Sequence, residues 1–223
     1  MPSTSRVLRV LLADDHAILR DGLRRILNEE GFEVVGEASD GREAASLGQE
    51  LQPDVAVLDI SMPQLNGIDT AREILRTSPR TKVIILTMYT DDRYVLASLR
   101  AGIVGYVLKS KAASSLVQAI QAVCNDEIYL SPGVSRAVVQ AYLSKDETPA
   151  DPLSAREREV LQLIAEGKNP REIGTILGVS TKTAESHRTN IMHKLHIYEI
   201  AGLVRYAVRE GLVQDPPTQK SPR

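Results

Sequence analysis

The first two-thirds of the chain alternates short, β-branched apolar runs with amphipathic segments. The runs are Val7–Ala13, Phe32–Val35, Val55–Ile60, Val83–Met88 and Gly105–Leu108. Between them, residues such as Ile18, Leu19, Gly22, Leu23, Ile26 and Leu27 recur at helical spacing. Five strands alternating with about five helices predict βαβ crossovers and a parallel α/β sheet. The runs are continuously apolar, which fits strands covered on both faces.

After residue 152 the pattern is helical throughout. Ser154 is a good N-cap with Glu157 at the capping-box position, and Val160, Leu161 and Ile164 supply an apolar face. Gly167 to Pro170 breaks the chain, and Pro170 suits the start of the next helix. Arg171 to Leu177 reads as a short helix and Gly178 to Ser180 as a tight turn. Ser180 or Thr181 then caps a longer helix to about Leu195. Short helix, glycine turn and long helix form a helix-turn-helix signature. Gly167, Gly178 and Gly211 stand where C′ glycines end helices.

Between the two patterns, Ser131 to Gly133 opens one more helical stretch to about Leu143. Ser144 to Pro152 is polar, charged and carries two prolines, as an interdomain linker does. The expected division is therefore a first domain over 1–128, a helix and linker over 129–152, a helical domain over 153–213 and a disordered tail over 214–223.

Composition narrows the class. The 223 residues are 43% hydrophobic and 25% charged, as in globular proteins. No apolar run approaches the ~20 residues of a membrane span, so no membrane insertion is expected. Met1 to Ser5 is polar, with no secretory signal. The single Cys124 forms no internal disulfide and no cysteine cluster can hold zinc. A reducing cytoplasmic location is expected. The net charge of −2 hides an asymmetry: residues 1–143 carry −3 and residues 153–223 carry +3. An acidic first part and a mildly basic last part point to two functions on one chain.

Three acids close strands: Asp14 and Asp15 after the first run, and Asp59 at the end of the third. Ligands of open parallel sheets bind outside the carboxyl ends of the strands. Clustered carboxylates repel one another, and a hard divalent cation such as Mg²⁺ removes the conflict. Lys109 ends the fifth run, where its ammonium could neutralise a phosphoryl group, and Thr87 ends the fourth with a hydroxyl. The set suits phosphoryl transfer onto an aspartate.

These residues sit in motifs. Leu12 to His16, Leu58 to Pro63 with Gly67, Leu86 to Met88 and Gly105 to Lys109 together resemble a response-regulator receiver domain, over about residues 6–128. The resemblance implies a doubly wound, flavodoxin-like five-stranded sheet in order 2-1-3-4-5, and phosphorylation of Asp59 by a sensor histidine kinase. It implies that Asp15 binds Mg²⁺ directly and Asp14 mainly through water, with Asp59 and the backbone carbonyl of Ser61 completing the protein ligands. Lys109 would pair with the phosphoryl oxygens, Thr87 would turn toward them, and Tyr106 would swing inward behind it. His16 is assigned no chemistry.

In the long helix of the second domain, Ala184, Ile191 and Leu195 form an apolar stripe. The opposite face can enter a DNA major groove. Lys182, Arg188 and Lys194 are phosphate candidates, and Glu185, Ser186 and Thr189 can read base edges. Leu153 to Leu161, Ile164 to Gly167, Glu172, Ile173, Leu177, Val179, Ser180, Thr183, His187 and Asn190 to Leu195 resemble the four-helix DNA-binding domain of LuxR type. The chain as a whole is similar to the NarL/FixJ subfamily. That resemblance implies that Thr181–Leu195 is the recognition helix and that a last helix, about Glu199–Glu210, pairs two such domains on double-stranded DNA. Ala184 stands where Val is usual, Glu185 where Lys is frequent, Asn169-Pro170 where Ser-Asn is usual, and Ile200 where Arg is frequent.

The function expected is a two-component transcription regulator, not an enzyme beyond slow hydrolysis of its own aspartyl phosphate. Phosphorylation would alter one receiver face, favour a homodimer and promote DNA binding. A rival, an Mg²⁺-dependent phosphohydrolase, leaves the helix-turn-helix unexplained. A second rival, phosphorylation-independent DNA binding, would need a broken acidic set.

Overall fold

A computed structural model describes residues 6–89, 92–132, 134 and 152–213. The chain divides into two compact units between residues 147 and 148. The helix expected to run to Leu143, the linker from Ser144 to Asp151 and the tail from Gln214 lie outside the described residues.

The first unit is a parallel sheet wrapped by helices. Its strands are β1 (Arg9–Ala13), β2 (Glu33–Ala38), β3 (Val55–Asp59), β4 (Lys82–Thr87), β5 (Gly105–Leu108) and β6 (Tyr129–Leu130). The helices are α1 (Ala17–Glu29), α2 (Gly41–Leu51), α3 (Gly67–Thr77), α4 (Asp92–Arg100) and α5 (Ala112–Cys124). The strand order is β2-β1-β3-β4-β5-β6, every pair parallel.

The expected five strands and their order are present, with a sixth added. β6 pairs Tyr129 with Gly105 and Leu130 with Tyr106. Asp126, at φ 61°, turns the chain after α5, and Tyr129 N–H and Ser131 N–H bond back to the carbonyls of Val104 and Tyr106, each at 2.9 Å. A two-residue strand is too short to leave a periodic signal in the sequence.

Alternate strand residues feed two cores, as a side-chain period of two requires. Leu11, Ala56, Leu58, Val83, Ile85 and Tyr106 pack with Ala44, Ala71, Ile74 and Val95 of α2, α3 and α4. Val10, Leu12, Val55, Val57, Ile84 and Leu86 pack with Leu23, Leu27, Leu116 and Ile120 of α1 and α5. Each fully buried aliphatic side chain contributes about 1.5–3 kcal/mol. The carboxyl ends of β1, β3, β4 and β5 are thus fixed by buried strands on both sides.

The second unit is α6 (Ala155–Ala165), α7 (Pro170–Leu177), α8 (Thr181–Leu195) and α9 (Ile200–Arg209). The Ser154–Glu157 capping box forms as the spacing predicts, and Asn169 with Glu172 forms a second one, with Pro170 at the first turn. Val160, Leu161, Ile164, Ile173, Ala184, Ile191, Leu203 and Ala207 share one core. Among the described residues no helix is long and apolar enough to cross a membrane.

Candidate functional site

Strand register builds the first site. Ala13 is the partner of Leu58, so Asp14 and Asp59, the next residues, end side by side. Asp59 in turn faces Leu86, which precedes Thr87, and Thr87 faces Leu108, which precedes Lys109. Asp14 and Asp59 are buried, at 0% and 2% exposure, while Asp15 is exposed.

Lys109 Nζ lies between the two buried acids, 2.8 Å from Asp14 Oδ2 and 2.9 Å from Asp59 Oδ2. At these distances the ammonium forms an ion pair with both carboxylates, and among the described residues neither oxygen has another partner. Burial pushes the Asp59 carboxyl above its ordinary range; Lys109 and the Ser61 N–H oppose the shift but do not cancel it. For Lys109, burial works against the charge, but the Asp59 and Asp14 carboxylates outweigh it and hold the ammonium more firmly protonated.

The acids are positioned by backbone contacts. Asp14 Oδ1 accepts from the His16 N–H at 2.8 Å, and the Asp14 carbonyl accepts from Arg20 Nη1 at 2.5 Å. His16 Nδ1 stands 2.7 Å from Asp15 Oδ1 and 3.2 Å from Asp14 Oδ1. Ligand atoms of Asp14, Asp15, His16 and Asp59 lie within 4.8 Å of one another. Gly67 N–H bonds to the Ile60 carbonyl at 2.8 Å, and a Cβ on Gly67 would fall 2.1 Å from the Asp59 carbonyl oxygen. Only glycine lets α3 start this close to the strand that carries Asp59.

Thr87 and Tyr106 meet through a residue the sequence did not single out. Thr87 Oγ1 accepts from the Tyr89 N–H at 3.1 Å, and Tyr106 Oη donates to the Tyr89 carbonyl at 3.0 Å. Tyr106 is buried, so its ring already points inward. Tyr89 also stacks on Tyr94 of α4, centroids 4.6 Å apart, and its hydroxyl accepts from Ser61 Oγ at 3.4 Å. An aromatic two residues after Thr87, in a chain only 4% aromatic, was the available signal.

The donor set is oxygen-rich, and its buried carboxylate oxygens fit a hard divalent cation. A carboxylate beside that cation and an ammonium can accept a phosphoryl group.

The second site is the helix-turn-helix. Gly178 sits at φ 64°, and the Val179 N–H closes the turn on the Gly174 carbonyl at 2.9 Å. A Cβ on Gly174 would lie 2.8 Å from the Val179 carbonyl, so the turn needs glycine there. Ser180, not Thr181, caps α8, its hydroxyl accepting from the Thr183 N–H at 3.1 Å. Ala184 and Ile191 are buried and Leu195 half-buried. Lys182, Glu185, Ser186 and Thr189 are exposed on the other side, and Arg188 is half-buried. Lys194 is half-exposed and its ammonium holds Glu157 Oε2 of α6 at 2.7 Å.

Comparisons with known proteins follow the same division. Residues 10–121 match the response regulator receiver domain, and residues 151–207 match the bacterial regulatory proteins of the luxR family. The transcriptional regulatory protein MctR of Rhizobium johnstonii is 37% identical over 207 residues, covering 92% of this chain and 95% of its own. The oxygen regulatory protein NreC of Staphylococcus carnosus is 39% identical over 215 residues, covering 92% and 99%. A solved structure of two RcsB dimers bound to two parallel DNAs is 33% identical, covers 90% of this chain and 98% of its own, and has a TM-score of 0.56.

Proposed function

The chain belongs to the two-component response regulators that carry a LuxR-type DNA-binding domain, and from that premise we propose that phosphorylation of Asp59 switches its dimerisation and its binding to DNA. One observation carries this reading: Lys109 lies between Asp14 and Asp59 at the carboxyl edge of the sheet, with Asp15 beside them.

Asp14, Asp15, Asp59 and the Ser61 carbonyl would hold Mg²⁺. When bound, the cation neutralises charge on the transferring phosphoryl oxygens. The chain's own groups do the rest. An Asp59 oxygen attacks the phosphorus of a donor, either the phosphohistidine of a sensor kinase or a small acyl phosphate. The new O–P bond forms as the donor's P–N or P–O bond breaks, and the leaving imidazole or carboxylate departs with the bonding pair. Lys109 then shifts its ion pair from the Asp59 carboxylate to the new phosphoryl group. The Thr87 hydroxyl, which accepts from the Tyr89 N–H, has its own O–H free to donate to a phosphoryl oxygen. Water attack on the phosphorus of the acyl phosphate breaks the Asp59 O–P bond, releases inorganic phosphate and slowly returns the free carboxylate.

In the second unit, Lys182 and Arg188 contact DNA phosphates while Glu185, Ser186 and Thr189 face base edges. Lys194 carries three N–H groups and can reach a phosphate while still holding Glu157. The receiver domain over residues 1–128 and the DNA-binding domain over 153–213 act in the cytoplasm, joined through 129–152.

The test is the intact mass of the wild type and of Asp59→Asn after incubation with Mg²⁺ and acetyl phosphate. The expected result is one phosphoryl adduct on the wild type alone. An equal adduct on Asp59→Asn, or steady turnover of the donor without an adduct, overturns the assignment and favours a phosphohydrolase.

A further inference from the structure

The exposed face of α8 carries several polar side chains, and the structure separates them by what each is free to do. Thr189 turns its hydroxyl back onto the helix, donating to the Glu185 carbonyl at 3.0 Å. That back-bond leaves a methyl group outward rather than a hydrogen-bonding reader. Lys194 is engaged with Glu157, and Arg188 is half-buried with its Nε enclosed. Lys182 stands in the first turn, where a cation is drawn to phosphate more than to any one base. Ser186 can donate or accept and discriminates poorly. Glu185 is left.

Glu185 is the only acid on α8. Its carboxylate is exposed and has no ion pair or hydrogen bond among the described residues. The other described acids of this unit are tied, apart from Glu199. Glu157 holds Lys194, Glu159 holds Arg156, Glu166 accepts from Gln162, Glu172 closes a capping box and Glu210 pairs with Arg209. A free carboxylate on a groove-facing helix is repelled by phosphates, and a donor on a base edge compensates its entry directly. Two bases offer one in the major groove, cytosine at N4 and adenine at N6. Adenine places the N7 acceptor beside its donor, facing the second carboxylate oxygen, whereas cytosine has only a C–H there.

Resting on the DNA-binding reading of α8, we infer that Glu185 is a specificity-determining residue that selects cytosine at one position of each half-site. The isosteric amide offers a clean contrast. Glutamine presents one donor and one acceptor, which match adenine N6 and N7 together. Glu185→Gln therefore exchanges the preferred base at that position and leaves the others alone.

The experiment selects duplexes from a random DNA pool with the full-length protein, treated with Mg²⁺ and acetyl phosphate, in parallel for the wild type and Glu185→Gln. The wild type is expected to enrich cytosine at one position per half-site, and the variant adenine at that same position. Titration of the two matched duplexes should show about a tenfold swing in each direction. Matching backbone circular dichroism establishes that the variant folds. An identical selected motif for both proteins overturns the inference. So does a variant that binds every duplex more tightly with an unchanged motif, which makes Glu185 a source of repulsion only. If neither protein enriches any sequence, with or without the treatment, the DNA-binding reading itself falls.

Discussion

Lys109 fills, between two buried acids, the place where a cation would also bind. Two buried carboxylates side by side repel each other, and an ammonium between them offsets the repulsion without a cation from solution. Removing one partner of a buried ion pair leaves an uncompensated charge, which costs about 3 kcal/mol at the lower end of the usual range. Lys109→Met is therefore expected to lower the melting temperature of the metal-free receiver. It should also raise affinity for Mg²⁺, because the cation then meets three acids with no resident counter-charge. Thermal unfolding with and without millimolar Mg²⁺ reads both effects: Mg²⁺ should recover more stability in the variant than in the wild type. An equal Mg²⁺ gain in both proteins would mean that the ammonium does not compete for the site. Asp14, Asp59 and Lys109 were legible from sequence because each ends an apolar run and parallel strands bring their ends to one edge. The contacts of His16 with both acids were not legible, since they depend on the ring's rotamer above a helix start. The role of Tyr89 as the shared partner of Thr87 and Tyr106 was hidden for a related reason: it uses backbone atoms, which no residue type announces.

The helices of the second unit are joined by a pair that local patterning reveals by halves. Glu157 was readable as the N3 residue of a capping box. Its other partner, Lys194, lies 37 residues away on α8, and nothing in either segment announces the contact. The pair ties α6, which begins this unit, to α8, the proposed recognition helix. Burial alone would push the Glu157 carboxyl up, but Lys194 and the Ser154 caps together pull it below its ordinary 4.5. A carboxyl depressed on folding contributes stability that is present above pH 4.5 and is lost as the pH falls through the folded value. Acidification from pH 6 toward pH 3 should then loosen α6 and α8 together. Glu157→Gln should be about 1 kcal/mol less stable at pH 6, given the half-exposed lysine, and should lose less on acidification. Hydrogen exchange of amides in residues 155–195 across that range checks it. A parallel pH profile for the variant and the wild type would show that another group governs the acid response. β6 marks the same limit on sequence reading: its two residues are placed by a left-handed Asp126 and by hydrogen bonds to β5, not by any pattern of their own.

The two ends of the chain carry opposite net charge, −3 over residues 1–143 and +3 over residues 153–223. A DNA-binding domain of net +2 over residues 153–213 gains little from counterion release, so one copy is expected to hold DNA weakly. Two copies joined through their receivers bind as a unit, because the second contact becomes intramolecular at an effective concentration near millimolar. On the proposed reading, the phosphorylation response resides in the pairing of copies rather than in any change within α8. That has a geometric consequence, since two recognition helices must meet half-sites on one face of the duplex, about 10 base pairs apart. On a duplex with properly spaced half-sites, acetyl phosphate should raise the wild type's affinity 10²-fold or more, roughly the avidity of a linked pair. Inserting about 5 base pairs between the half-sites turns them to opposite faces and should remove most of that gain; about 10 should restore part of it. Asp59→Asn should bind all three duplexes alike and weakly. A phosphorylation gain that ignores the spacing would place the switch inside a single copy, in which case phosphorylation frees or reshapes the DNA-binding domain instead of pairing it.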